Sequence, residues 1–398
     1  MNMQWIMNQA ARSQDLARAD VSFLHPDQTR KVRQFHQSFP EYQRTPLARL
    51  DSLAHKLSVD SILVKDESWR FGLNAFKVLG GSYAIARYLA DQLNLDLSQL
   101  SFELLRSKEY RDRLGDITFV TATDGNHGRG IAWAARQLGQ KAVVFMPKGS
   151  MEIRLANIRA EGAEASITEF NYDDAVRHAE QYAREYGGVL IQDSAWPGYE
   201  TIPSWIMQGY STLIDEALEQ MEENGQGRPS HVFLQAGVGA FAGSILGYLA
   251  ARYGEDRPVT VIVEPDEADC YYRSMVIGDG LPHPVTGDMP TIMAGLACGE
   301  PGSIPWGIIR DHADCFLSVS DSVAELGMRT LAHPLPGDTK VISGESGAPG
   351  LGALSLILED PAYKPLKSAL QLDETSRVLV ISTEGDTDPV NYQRIVSY

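Results

Sequence analysis

Three short segments combine reactive side chains with glycines in predicted turns. They are residues 74–77 (Asn-Ala-Phe-Lys), 123–128 (Thr-Asp-Gly-Asn-His-Gly) and 235–240 (Gln-Ala-Gly-Val-Gly-Ala). Each lies downstream of a short apolar run that is typical of a buried strand. Turns that follow parallel strands collect ligands, because the helix N-termini there offer unpaired N–H groups and a positive dipole. These turns are therefore the predicted place of a binding and catalytic site.

Lys77 is the candidate for covalent chemistry. A lysine in the first turn of a helix is usually a solvated surface charge, but here the neighbours at positions 76, 78 and 79 are apolar and the Gly80-Gly81 pair permits close packing. We expect the amine to point into a cleft with a low-dielectric wall. Such surroundings can depress the pKa of a lysine and allow it to form a Schiff base with an aldehyde.

The third segment predicts a phosphate-binding turn that opens a helix. Its small residues would let backbone N–H groups approach a phosphate closely. A Gly-x-Gly turn also suits a dinucleotide, but the complete Gly-x-Gly-x-x-Gly pattern is not present. A plain strand-to-helix turn is the structural alternative. The residues concerned are Ala236, Gly237, Val238, Gly239 and Ala240.

The charge balance argues against a nucleic-acid partner. The chain has 35 Lys and Arg against 52 Asp and Glu, a net charge of −17, and no segment clusters enough Lys and Arg to replace counterions on a phosphate backbone. The first twenty residues carry polar or charged side chains every few positions, so neither a signal peptide nor a transmembrane helix is predicted. We expect a cytoplasmic protein with no nucleic-acid or membrane partner.

The cysteine content predicts neither a disulfide framework nor a metal site. Cys270, Cys298 and Cys315 are too few for the first in a chain of 398 residues and lack the spacing of zinc ligands. Ordinary reduced or buried thiols in a reducing cytosol are expected. A redox pair formed by Cys270 and Cys298 is the alternative.

The length and the apolar pattern predict an α/β protein. With 398 residues and 43% hydrophobic content, the chain has room for two or three domains. From about residue 61, short β-branched runs alternate with segments of helical period, which indicates a parallel sheet covered by helices. Helices are predicted at 76–93 and 321–331, and strands at 62–65, 117–121, 142–146, 189–191, 232–234, 259–263 and 378–381.

The order of these motifs resembles the fold-type II, tryptophan-synthase-β-like family of pyridoxal-phosphate enzymes. The Phe76-Lys77 pair is similar to the Schiff-base motif Ser-Phe-Lys of that family. The resemblance spans about four-fifths of the chain. The other segments that carry it are residues 44–47 (Arg-Thr-Pro-Leu), 125–127 (Gly-Asn-His), 237–240, 263–265 (Val-Glu-Pro), 345–348 (Glu-Ser-Gly-Ala) and 382–383 (Ser-Thr).

The resemblance implies a division into two interwoven domains, each an open, mostly parallel twisted sheet covered by helices. Residues 1–90 and 200–398 would form the large domain that binds pyridoxal 5'-phosphate, and residues 115–199 the small one. Residues 91–114, whose charges follow no clear face, would be an insertion or linker. The family also implies a homodimer.

The resemblance also assigns roles to individual residues. Lys77 would carry the cofactor aldehyde, Asn126 would hydrogen-bond the ring oxygen, and the turn at 236–240 would hold the phosphate. Ser382 or Thr383 would face the pyridine nitrogen, with Thr383 preferred because residues 383–386 (Thr-Glu-Gly-Asp) align with the family's Ser-Gly-Gly-Asn. A hydroxyl there need not keep the nitrogen protonated, which suits prompt β-elimination.

Two departures from the serine/threonine dehydratase pattern indicate the substrate. Asp124 stands where those enzymes have a small residue, and a second carboxylate, Asp193, follows the strand predicted at 189–191. Both features are similar to family members that eliminate ammonia from 2,3-diaminopropionate. An ammonium on the β-carbon needs a carboxylate partner in a buried pocket. The structural alternatives are a helix N-cap for Asp124 and a loop-capping turn for Asp193.

The predicted reaction is an α,β-elimination of this amino acid to pyruvate and two molecules of ammonia. In related serine racemases, a serine at the position of Asp124 acts as a second base, so Lys77 would deprotonate the L-isomer and Asp124 the D-isomer. His127 is interpreted as a structural partner. Trp196 and Tyr199 either close over the substrate or pack their loop.

Three other functions compete with this prediction. A serine/threonine dehydratase or racemase is the nearest, and turnover of L-serine would separate it. A nicotinamide oxidoreductase would use the turn at Gly237 but leaves Lys77 and the Gly-Asn-His segment unexplained. A non-catalytic amino-acid-binding protein would not need both the lysine and the acids.

Overall fold

The computed structural model describes residues 1–13 and 17–397 and places the described strands in two sheets. The strands are β1 Met3–Met7, β2 Leu47–Arg49, β3 Ser61–Asp66, β4 Thr118–Ala122, β5 Lys141–Met146, β6 Glu164–Ile167, β7 Val189–Leu190, β8 His231–Gln235, β9 Val259–Pro265, β10 Cys315–Val319 and β11 Arg377–Ser382.

Helices occupy most of the chain between these strands. They are α1 Pro26–Gln37, α2 Asp51–Leu57, α3 Val78–Leu93, α4 Phe102–Arg106, α5 Lys108–Leu114, α6 Asn126–Gln137, α7 Glu152–Ala160, α8 Tyr172–Tyr186, α9 Thr201–Glu223, α10 Ala240–Tyr253, α11 Cys270–Ile277, α12 Ser303–His312, α13 Asp321–Ala332, α14 Pro349–Glu359, α15 Lys364–Ala369 and α16 Pro389–Val396. No helix of the described residues is long and apolar enough to cross a membrane.

The larger sheet has the strand order β1-β10-β9-β8-β11-β3-β2. Its five inner strands are parallel, and the edge strands β1 and β2 are antiparallel to their neighbours. Because successive side chains point to opposite faces, Ile62 and Leu63 enter separate apolar cores on the two sides. Burial on both faces explains why β3, β8 and β11 are nearly continuous apolar runs.

The smaller sheet has the order β6-β5-β4-β7 and is wholly parallel. One of its faces packs on α8, and the other shares an apolar core with the larger sheet. The predicted α/β class is therefore confirmed. The strands of the larger sheet come from residues 3–66 and 231–382 and those of the smaller sheet from 118–190, while the domain boundaries stay a prediction.

Close helix crossings fix the position of the start of α3. A Cβ added at Gly209 of α9 would lie 2.4 Å from the carbonyl oxygen of Leu79, and one at Gly130 of α6 would lie 2.9 Å from Cα of Val78. Only glycine allows the backbones to approach this closely. The first turn of α3 is therefore held between helices of both sheets.

The predicted strands and helices are present, with ends that differ by one or two residues. The strands β1, β2, β6 and β10 were not among the predicted ones. The segment predicted as an insertion contains α4 and α5, and its Phe102 and Leu105 are buried.

Candidate active site

Lys77 lies directly before α3, on a loop that is bonded to the segment after β11. Phe76 donates its backbone N–H to the carbonyl oxygen of Thr383 (3.0 Å), and Gly385 donates to that of Asn74 (3.0 Å). Asn74 adopts a left-handed φ of 60°, which asparagine tolerates better than most residues. The loop therefore brings Lys77 and Thr383 to the same end of the larger sheet.

Lys77 forms an ion pair with Asp193. Its Nζ donates to Oδ2 of Asp193 at 2.6 Å, and the two side chains are 16% and 1% exposed. Burial acts to lower the pKa of Lys77, but Asp193, Tyr210 and Asp124 outweigh it and raise the pKa above its ordinary value. The expectation of a depressed pKa for Lys77 is therefore wrong, because the carboxylate of Asp193 neutralises the ammonium.

The same pair sets the charge of Asp193. Burial acts to raise the pKa of Asp193, but Lys77, followed by His127, lowers it to about 2. Asp193 is thus ionised at neutral pH and bound to an ammonium group. Its Oδ2 accepts from Lys77 and its Oδ1 from the side chain of Gln192, so the loop-capping alternative does not describe its bonds.

An inner cavity surrounds Lys77 and contains most of the predicted site residues. The turn at 236–240, Asn126, Asp193 and Thr383 all line it, whereas Ser382 and Asp124 do not. Its lining consists of Phe76, Lys77, Asn126, Asp193, Tyr210, Gln235, Ala236, Gly237, Val238, Gly239, Ala240, Phe241, Gly295, Leu296, Cys298, Ser346, Thr383 and Glu384.

The glycine turn has the features that a phosphate group requires. Within the described residues, the backbone N–H groups of Gly237, Val238 and Gly239 have no hydrogen-bond acceptor, and α10 begins directly after them. Gly239 has a φ of 93°, and a Cβ there would lie 2.0 Å from the hydroxyl oxygen of Tyr271. Unpaired N–H groups at a helix N-terminus fit an anion. The residues present therefore fit a phosphorylated cofactor beside Lys77.

The two candidate hydroxyl groups after β11 point to different places. Thr383 lines the inner cavity, where its Oγ1 accepts from Nε2 of Gln235 at 3.0 Å. Ser382 donates instead to the hydroxyl of Ser343 at 2.7 Å. The preference for Thr383 over Ser382 agrees with this geometry.

Asp124 borders an outer cleft of about 830 Å³ that adjoins the inner cavity. Its Oδ2 lies 3.3 Å from Nη1 of Arg154 and would lie 3.5 Å from a Cβ at Gly295. The neighbouring Thr123 caps α6, because its Oγ1 accepts from the N–H groups of Gly125 (2.9 Å) and Gly128 (3.0 Å). The capping alternative for Asp124 is therefore wrong.

The aromatic pair after β7 packs its own loop. Trp196 and Tyr199 stack with ring centroids 4.4 Å apart. The hydroxyl of Tyr199 donates to the carbonyl oxygen of Leu190 and accepts from the N–H of Gln192, both at 2.9 Å. These bonds favour the packing alternative.

The remaining predicted side chains are buried around this site. His127 bonds to the carbonyl oxygen of Ile191 at 2.9 Å, which suits a structural role, and its Nδ1 lies 3.9 Å from Oδ2 of Asp193. Cys270, Cys298 and Cys315 are unpaired, so the structure contains no disulfide between Cys270 and Cys298. The described residues contain no cluster of three or more metal-ligating side chains.

Several lining residues were missed by sequence reasoning. Gln235 and Ser346 stand in segments that the sequence analysis singled out but received no role there, whereas Tyr210 and Cys298 carry no local signal for the site. Glu384 did carry one, because it stands where the family pattern has a glycine.

Residues 39–384 match the family of pyridoxal-phosphate dependent enzymes. A diaminopropionate ammonia-lyase of Salmonella typhimurium (strain LT2) is 56% identical over 379 residues, which cover 95% of this chain and 94% of that protein.

Crystal structures of the diaminopropionate ammonia-lyase of Escherichia coli have the same fold. The complex with an aminoacrylate-PLP azomethine reaction intermediate superposes with a TM-score of 0.89 at 49% identity, covering 99% of this chain and 97% of that one. The complex with D-serine gives a TM-score of 0.91 at 50% identity with the same coverage.

Proposed function

Because the chain belongs to the family of pyridoxal-phosphate dependent enzymes, and within it to the diaminopropionate ammonia-lyases, we propose that it eliminates ammonia from 2,3-diaminopropionate. The products are pyruvate and two molecules of ammonia. The observation that carries the proposal is the buried pair of Lys77 and Asp193 beside the glycine turn. A lysine for the cofactor and an anion for a second ammonium thus lie in one cavity.

The inner cavity supplies the residues that would hold the cofactor. The N–H groups of the turn at 236–240 would bind its phosphate, Asn126 its ring oxygen and Thr383 its pyridine nitrogen, and Lys77 would bind it covalently through Nζ. When bound, pyridoxal phosphate withdraws electrons from the α-carbon of an attached amino acid.

Lys77 and Asp193 have separate tasks in this proposal. The amine of Lys77, once exchanged for that of the substrate, is the base that takes the Cα proton of the L-isomer. Asp193 then has no lysine ammonium beside it, and its buried charge is available to the β-ammonium of the substrate. A buried ammonium without such a partner would cost several kcal/mol, so Asp193 favours diaminopropionate over serine.

Asp124 is the proposed base for the D-isomer. It lines the outer cleft, where Arg154 binds its carboxylate, and its Oδ2 would lie 3.5 Å from a Cβ at Gly295, a residue that lines the inner cavity. Two bases on different elements allow both enantiomers to react, since their Cα protons point to opposite sides of the bound molecule.

A serine/threonine dehydratase or racemase is the alternative function. The test is to measure pyruvate formation by the purified protein with D-diaminopropionate, L-diaminopropionate and L-serine. We expect kcat/KM for at least one diaminopropionate isomer to exceed that for L-serine by about 100-fold, the order set by one buried charge pair. An equal or greater kcat/KM for L-serine would contradict the proposal.

We further propose that the enzyme is a cytoplasmic homodimer. The three unpaired cysteines support a reducing compartment. The exposed apolar side chains of Val276, Ile277 and Leu281 offer a surface suited to a second copy of the chain. The molecular mass in solution, measured by light scattering, tests the dimer.

A further inference from the structure

Glu384 places a buried carboxylate where the family pattern has a glycine. Glu384 is only 2% exposed. Like Thr383, it lines the inner cavity. Within the described residues, Glu384 forms no ion pair with a lysine or arginine. A buried carboxylate without a cation must be held by neutral hydrogen-bond donors.

Three donors bind this carboxylate, and the longest of the three bonds comes from the hydroxyl of Thr387, 3.4 Å from Oε2. Oε2 accepts from Nδ2 of Asn126 at 2.5 Å, and Oε1 accepts from the backbone N–H of Ser346 at 3.0 Å. A Cβ at Gly344 would lie 3.1 Å from Oε1, so the glycine leaves room for the carboxylate. Asn126 begins the helix after β4 of the smaller sheet, whereas Glu384 follows β11 of the larger one.

The carboxylate fixes which end of the Asn126 amide faces it. An amide can present either its oxygen or its NH2 group to a neighbour, but both oxygens of Glu384 accept hydrogen bonds, from Asn126 and from Ser346. Glu384 therefore selects the orientation in which Nδ2 points towards it. Nδ2 carries a second hydrogen, which remains available to another acceptor at the cavity that Asn126 lines.

The opposite orientation would be unfavourable for the cofactor. The ring oxygen of pyridoxal phosphate accepts hydrogen bonds, so an amide oxygen facing it would place two acceptors together. With a glycine at position 384, the side chain that holds the amide of Asn126 would be absent. The carboxylate thus removes a conformational choice before the cofactor binds, which lowers the cost of binding.

We propose that Glu384 is a positioning residue that holds the amide of Asn126 with its nitrogen available to the ring oxygen of the cofactor. The inference rests on the proposed function for the role of Asn126. The inference explains why this chain has a glutamate at position 384, where the family pattern has a glycine. It predicts that Glu384 acts on cofactor binding through Asn126 alone.

The test is a double-mutant cycle with readouts that need no substrate. The apparent dissociation constant of pyridoxal phosphate and the visible absorption maximum are measured for the wild type, Glu384→Gln, Asn126→Ala and the double variant. Glutamine keeps the size of the side chain, but only its amide oxygen can accept, so its NH2 group must face either Asn126 or the N–H of Ser346 and one of the two hydrogen bonds is lost. We expect Glu384→Gln to weaken cofactor binding about tenfold, which is the order of one hydrogen bond to a charged group. We also expect it to shift the absorption maximum.

The double variant separates positioning from any direct effect. If Glu384 acts through Asn126, adding Glu384→Gln to Asn126→Ala changes neither the dissociation constant nor the absorption maximum further. Additive effects would overturn the proposal. Thr387→Val is the matched control, because Thr387 Oγ1 donates a longer hydrogen bond, of 3.4 Å, to the same Oε2 but forms none with Asn126 within the described residues, and it should leave both readouts unchanged.

A second substitution covers the case in which Glu384→Gln does not fold. Glu384→Gly restores the family pattern and should weaken cofactor binding at least as much, while the far-UV circular dichroism stays that of the wild type. Wild-type affinity and spectrum in either folded variant would contradict the proposal. Failure of the wild type to form pyruvate from diaminopropionate would count against the proposed function instead, since the binding readouts do not depend on it.

Discussion

Lys77 and Asp193 come from different sheets, yet Nζ of the first lies 2.6 Å from Oδ2 of the second. Lys77 follows the larger sheet's β3, and Asp193 follows β7 of the smaller sheet. The pair therefore forms only where the two sheets meet. It also shows that Asp193 already binds an ammonium group in a buried position, which is the interaction that a β-ammonium would require.

Asp193→Asn should impair the reaction of diaminopropionate selectively. Removing the charge leaves the β-ammonium without a partner, so we expect kcat/KM to fall about 100-fold or more. An analogue with a neutral β-leaving group should lose much less. Equal losses on the two substrates, measured as pyruvate formation, would mean that Asp193 serves only to position Lys77.

Lys77 should be the site of covalent cofactor attachment. It is the described lysine whose amine lines the inner cavity. Borohydride reduction of the holoenzyme followed by peptide mapping should place the adduct on Lys77, and Lys77→Ala should lose the visible absorption band. An adduct on Lys148, which lines the outer cleft, would overturn the assignment.

Gly239→Ala should weaken cofactor binding more than Gly237→Ala. At position 239 a side chain meets the hydroxyl of Tyr271 at 2.0 Å and must adopt a φ of 93°. At position 237 the nearest contacts are 3.2 Å. Positive φ costs a non-glycine residue roughly 1–2 kcal/mol, so we expect a rise of about tenfold or more in the apparent dissociation constant for Gly239→Ala. Cofactor titration of both variants checks the order, which the opposite ranking would contradict.

His36 should make the protein less stable as the pH falls below 6.5. Burial, followed by the charge of Arg70, lowers the pKa of His36 from 6.5 to about 3, so the unfolded chain binds a proton that the folded chain excludes. The penalty is absent above pH 6.5 and grows down to about pH 3. At pH 5 it amounts to about 2 kcal/mol, from 1.5 pKa units at 1.36 kcal/mol each.

His36→Gln tests this penalty. The fall in the apparent free energy of unfolding between pH 8 and pH 5, measured by urea denaturation, should be smaller in the variant by about 2 kcal/mol. His25→Gln, which removes an exposed histidine, is the control and should retain the wild-type fall. An unchanged fall in His36→Gln would contradict the prediction.

The strands that could be predicted from the sequence include those that are buried at every position. β3 and β8 are buried on both faces, so their apolar runs stand out. The edge strand β6 has alternating exposed residues and a glutamate, and β2 has only three residues, so neither gives a clear signal. β10 is buried along its length, and its apolar run was a signal that the prediction missed.

Within the site, the sequence predicted the segments better than the environment of each side chain. Lys77 was predicted to lie in an apolar cleft, but the sign of its pKa shift depends on Asp193, which is 116 positions away. Thr123 and Asp124 are both residues that cap helices, and only the backbone decides which of them faces the N–H groups. Such choices are made by tertiary contacts that a local pattern does not contain.

Asp124→Asn should abolish the reaction of the D-isomer selectively. Lys77 lines the inner cavity and Asp124 lines the outer cleft, and the two-base proposal requires that they act on opposite faces of the bound substrate. An asparagine retains the shape but cannot take a proton, and loss of a positioned base costs roughly 10²–10⁴-fold. We expect kcat for D-diaminopropionate to fall by this order while the L-isomer keeps a substantial part of its rate and the visible spectrum is unchanged.

Thr123→Val is the matched control for this last prediction. It removes the hydroxyl that caps α6, so it should lower the free energy of unfolding by about 1 kcal/mol. It should leave the ratio of D- to L-turnover unchanged. If Asp124→Asn instead lowers kcat equally for both isomers, Asp124 acts as a shared acid or as a charge beside Arg154, and the two-base mechanism is wrong. If the substitution changes kcat for neither isomer, the carboxylate takes no part in proton transfer. The isomer ratio in the two variants therefore decides between a base and a structural residue at this turn.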